Sequence, residues 1–191
     1  MSSDKEKLTA RESLDLISSM IAQTKGNVDR NSFHFLLWGW TILFANLGVY
    51  SLLEFTDVKN PFMIWAITIP AAIASGIYGA RQERNAVVST HLDVIYKWIW
   101  IGYAVTTFTI VFFGNTINYQ INPVVLTWAA VPTFVGGVIL KFKPLKFGGI
   151  ALWVLGIAAF LVPNENQFLI SALAIALGYL VPGYMLRARK A

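Results

Sequence analysis

The sequence predicts an all-α fold: an integral membrane bundle of six transmembrane helices in three antiparallel hairpins, preceded by a cytosolic amphipathic helix. Composition is the first ground. Apolar residues make up 56% of the chain and charged residues 13%, where soluble domains average about 45–50% and about 25%. The second is residues 35–53, which carry no formal charge. As a helix they would reach about 28 Å, close to the ~30 Å hydrocarbon core of a bilayer. The third is where the cations fall. Of the 15 Lys and Arg residues, only Lys59 lies outside the segments that six spans would place on the inner side. That satisfies the positive-inside rule with both termini in the cytosol.

Residues 1–31 form the cytosolic lead-in and residues 32–191 the membrane domain. Thr9 and Glu12 have the spacing of a capping box, and Gly26 is placed to end a helix begun there. Within it Leu14, Ile17 and Ile21 share one face, with Arg11, Asp15 and Gln23 opposite. Such a stripe can dock on its own bundle, bind a partner or second copy, or lie on lipid. The near neutrality of the polar face counts against lipid, since surface helices are rich in Lys and Arg. Residues 27–31 read as a polar hinge.

The spans follow at about 35–53, 61–80, 94–114, 123–140, 147–162 and 168–186. Pro61 suits a first helical position, and Lys97 can snorkel to the headgroups. The fifth span is short. Ala72, Gly76 and Ala80, with Ser75 and Gly79, give the second span a small-residue face for close helix contact. Gly136 and Gly137 are expected to do the same in the fourth. Pro70 and Pro132 are expected to kink their helices. Asn60-Pro61, Pro70 and Trp38 recur 62 residues later as Asn122-Pro123, Pro132 and Trp100, although such residues are common in any membrane helix.

Chemistry is sparse. No charge falls mid-span, where one would cost about 2.5–3.5 kcal/mol on insertion scales, and this argues against proton-coupled transport or pumping. Asn46 is the one amide at mid-depth, expected to bond another helix. Thr106, Thr107 and Thr109 are expected to return their hydroxyls to their own helix. His34, His91 and Asp93 lie at the inner boundary without the three or four convergent ligands of a metal site. No cofactor fingerprint occurs, and the absence of cysteine removes thiol chemistry. Ser51, Ser75 and Ser171 show no histidine or aspartate partner, so no catalytic residue and no enzyme is predicted. The net charge of +5 sits at helix ends, which points to the lipid bilayer rather than nucleic acid as the partner.

The run of residues 12–25 (ESLDLISSMIAQTK) followed by residues 35–40 (FLLWGW) resembles a group of small, uncharacterised bacterial multi-span membrane proteins. These begin with an ESLxLIxxMI helix and continue into an LLWGW first span. The resemblance implies a bacterial inner-membrane protein and, because genes of that group tend to lie beside winged-helix regulators, a cytosolic regulatory partner. It carries no functional residues across. Two functions are therefore expected. One is a non-enzymatic interaction or regulatory protein acting through Leu14, Ile17 and Ile21, either on a partner or as a homo-oligomer. The other is a passive facilitator of a small uncharged solute, with Asn46 near its pathway.

Overall fold

A computed structural model describes the backbone of residues 10–85 and 91–188, and the side chains of residues 32–84 and 94–188. Among the described residues every regular element is helical. They run as α1 (Ala10–Phe55), a 3-10 stretch (Pro61–Ile67) leading into α2 (Thr68–Asn85), α3 (His91–Phe112), α4 (Ile121–Ile139), α5 (Lys143–Ala159) and α6 (Asn164–Ile175). A π-helical turn (Ala176–Leu180) joins α6 to α7 (Val181–Ala188).

α1 corrects the predicted hinge at residues 27–31. It is a single helix of 46 residues, passing without a break through Gly26 and the predicted hinge. Helix is compatible with every residue there: one interior glycine costs about 1 kcal/mol, and no proline interrupts the segment. The capping box at Thr9 lies outside the described residues.

Among the described residues five helices are long and apolar enough to cross a membrane: Ser32–Phe55, Pro61–Arg84, Val94–Phe112, Ile121–Ile139 and Asn164–Ala188. α5, at 17 residues, is not among them. Large apolar side chains face outward on these elements. Met63, Phe108 and Phe112 are 73%, 76% and 83% exposed, a surface that water would not tolerate in a monomer but lipid would.

The core lies between α1, α4, α5 and the α6–α7 arm, around Phe35, Leu126, Leu145, Leu152, Ile175 and Tyr179. α4 and α5 are antiparallel and nearly touch. A Cβ on Gly149 would lie 2.8 Å from Phe134, and one on Gly137 would lie 2.6 Å from the Lys146 backbone nitrogen. Gly136 likewise receives the Tyr96 ring, so the expectation for this glycine pair holds. The turn between these helices is a Schellman closure, with Phe142 N–H on the Gly137 carbonyl (2.9 Å) and Lys141 N–H on that of Val138 (3.1 Å). Lys141 takes the left-handed position, φ 49°, where glycine is usual.

Of the small-residue face predicted for α2, only Ser75 packs. Gly76 and Gly79 have nothing within 4 Å of an added Cβ, and Ala72 and Ala80 are exposed. α2 docks through Ser75 and Tyr78, whose hydroxyl and ring find polar and aromatic partners on α1. Pro70 sits in the first turn of α2, just after the 3-10 stretch. Pro132 is buried inside α4. The two prolines of the 62-residue echo thus occupy different helical contexts.

Cations gather at one end. Gly183 packs on Leu36, Gly148 on Pro182 and Gly136 on Tyr96, which brings Arg187, the Lys141–Lys146 turn and Lys97 to a common level. Lys97 pairs with Glu83 across the α2–α3 junction at 2.7 Å. Both side chains are half exposed, so the pair positions more than it stabilises. Lys59 lies at the opposite end, where Gln167 donates to Gln120 (2.8 Å) and Asn164 (3.2 Å) and ties α6 to the start of α4.

Candidate functional site

α1 carries the features that could do work. Within the bundle one stripe of it is buried: Ser32 and Phe35 at 5% and 3% exposure, then Gly39, whose added Cβ would meet Leu180 at 2.6 Å. Leu14, Ile17 and Ile21 precede these three by five helical turns, about 18 residues at 3.6 per turn. On one unbroken helix they occupy the same azimuth. Their side chains lie outside the described residues, but the backbone places the predicted partner stripe in line with the buried one.

At the basic end α1 meets α2 through a polar and aromatic seam. Trp38 Nε1 donates to Ser75 Oγ (3.3 Å), and Ser75 Oγ lies 2.9 Å from His34 Nδ1. Phe33 stacks on Tyr78 with ring centroids 3.9 Å apart. Ser75 therefore has the histidine neighbour that the sequence reading denied it. The two are far apart in sequence and meet only through the antiparallel register of α1 and α2. The indole N–H holds one lone pair of the serine oxygen, and the imidazole is wedged edge-on against Phe33 and Tyr78. That arrangement fixes the oxygen between two helices. A nucleophile needs its oxygen open to a substrate carbonyl.

Beside this seam lies a lateral trough of about 710 Å³ with α1 as its floor and α2 and α7 as its walls. Its basic end is bordered by Ser32, Tyr78, Tyr184 and Arg187, and its deeper part by Leu36, Leu37, Trp40, Phe44 and Ile67. Trp40 Nε1 donates to Tyr184 Oη at 3.0 Å, closing the α7 side. No sequence signal marked this trough, because its floor and walls come from separate helices.

The interior holds polar atoms that the predicted pairings do not satisfy. Asn46 is 1% exposed and does not reach across to another helix. Its Nδ2 donates to the Ile42 carbonyl of α1 at 2.8 Å, while its Oδ1 is buried without a partner. Ser171 on α6 likewise has a buried hydroxyl with no hydrogen bond. Thr106 and Thr109 return their hydroxyls to Gly102 and Val105 as expected. Thr107 does not, and its oxygen is buried and unbonded. It belongs to a stripe on α3, with Tyr96, Trp100 and Tyr103, that turns toward Tyr179 on the π-turn. Trp100 meets Tyr179 edge to face at 6.3 Å and Phe35 at 6.0 Å. The 3.6-residue spacing of these aromatics was the signal available in the sequence.

Among the described residues no group of three His, Cys, Asp or Glu could hold a metal ion; the His91 and Asp93 side chains lie outside them. No known family's sequence profile matches the chain, and no curated protein or solved structure is similar to it.

Proposed function

We propose that this chain is a non-enzymatic protein of the bacterial inner membrane with six spans and both termini in the cytosol. Its long N-terminal helix couples the bundle to a cytosolic regulatory protein or to a second copy. The observation that carries this reading is the unbroken α1. Its 46 residues extend roughly 69 Å at 1.5 Å per residue, more than twice the ~30 Å hydrocarbon core. The partner stripe of Leu14, Ile17 and Ile21 continues the line of Ser32, Phe35 and Gly39, so a load on the stripe is transmitted to the core without a joint. The likeness of residues 12–25 and 35–40 to small bacterial multi-span proteins fits the same reading.

α5 supplies the sixth span in this reading. Its 17 residues meet the lower limit of about 17–25 for a transmembrane helix. It turns Phe147, Val154 and Ile157 outward at 67%, 59% and 59% exposure. An even number of spans then leaves Arg81, Arg84, Lys97, the Lys141–Lys146 turn and Arg187 on the cytosolic side.

The test separates the stripe from its alignment. Ile17→Asp should abolish partner capture from crosslinked native membranes while the protein remains inserted. Inserting two residues after Gly26 keeps the stripe intact but rotates it by about 200°. It should abolish capture equally. Capture that survives both changes would end the proposal. One observation favours a second reading, passive passage of a small uncharged solute: the unpaired interior oxygens of Asn46, Ser171 and Thr107. Solute uptake into proteoliposomes that Asn46→Leu abolishes would support it.

A further inference from the structure

We propose that the trough between α2 and α7 holds one anionic phospholipid, with its phosphate on Arg187 and an acyl chain along the α1 floor. The inference rests on the membrane reading above and adds a ligand to it. The charged group and most hydroxyls of the trough gather at its basic end with Arg187, Tyr184, Tyr78 and Ser32, Thr41 lies midway along the floor, and Phe44 and Ile67 line the far end. From Ser32 to Phe44 the floor measures about 18 Å at 1.5 Å per residue. One leaflet of a ~30 Å core is about 15 Å deep, so the trough accommodates a single leaflet and a headgroup. Its volume of about 710 Å³ falls within the roughly 300–1,000 Å³ of small-molecule sites.

Charge selects the headgroup. Arg187 makes no hydrogen bond or ion pair among the described residues. Arg81 and Arg84 on α2 are exposed at the same end, and the acidic side chain described there, Glu83, is already taken by Lys97. An arginine fork suits a phosphate, and Tyr78 and Tyr184 supply hydroxyls at headgroup level. A zwitterionic lipid would bring a second cation into this positive mouth.

The experiment titrates the full chain in mild detergent, after lipid removal, with phosphatidylglycerol and with phosphatidylcholine of identical chains, read by native mass spectrometry. One saturable phosphatidylglycerol adduct is expected, bound more tightly than phosphatidylcholine. Arg187→Gln should weaken it about fivefold, the worth of one basic residue at an anionic surface, and narrow the preference. Thr41→Trp should fill the trough and remove the adduct of both lipids while the size-exclusion profile stays unchanged. Equal, non-saturating uptake of both lipids, an unchanged preference in Arg187→Gln, or a dimer that excludes lipid would each overturn the site. A chain that stays monodisperse without detergent would instead overturn the membrane reading beneath it.

Discussion

Asn46 shows how a single residue can be located correctly and paired wrongly. Its depth followed from its position in an uncharged run, but its partner depended on which face of α1 met α6. The amide folds back on the Ile42 carbonyl and leaves Oδ1 buried and unpaired. An unpaired buried acceptor costs about 1–3 kcal/mol, and leucine keeps the branched outline and the heavy-atom count of asparagine. Asn46→Leu is therefore expected to hold or raise the thermal midpoint in detergent, by the equivalent of up to about 1 kcal/mol. A marked fall would mean that Oδ1 has a partner such as bound water. Ser75 is the opposite case: its histidine lay elsewhere in the sequence, and no local pattern pairs residues across a hairpin.

At the scale of the element, glycine-rich stretches look alike in sequence and differ in the bundle. Gly149 faces the α4 backbone, where an added Cβ would lie 2.8–2.9 Å from three Phe134 atoms. Gly149→Ala must push α4 and α5 apart and is expected to cost about 1–3 kcal/mol. Gly76, on the face that sequence favoured for packing, has open space, so Gly76→Ala is expected to be neutral or to gain up to about 1 kcal/mol in helix propensity. Parallel melting curves of the two variants check both expectations, and equal effects would contradict the observed packing. The continuity of α1 was also beyond local reading. Gly26 and a polar run meet the usual stop signals, yet such signals only weaken a helix and do not forbid it.

For the molecule as a whole, topology turns on α5. If it spans, reporters fused at residue 1 and at residue 191 both report from the cytosol. If it lies in the interface, they report from opposite sides. We expect the first result, checked by paired phosphatase and fluorescent-protein fusions. By itself the sequence determined the helical class, the long apolar helices and the clustering of cations at one end, because each depends on composition and on patterns local to one segment. Only the tertiary structure decided which faces touch: the Ser75–His34 contact, the open glycines of α2 and the trough on α1. In lipid, apolar residues face outward as readily as inward, so hydrophobic pattern marks a span without marking its buried side. Shape complementarity between helices then makes the choice, and that property belongs to pairs of segments.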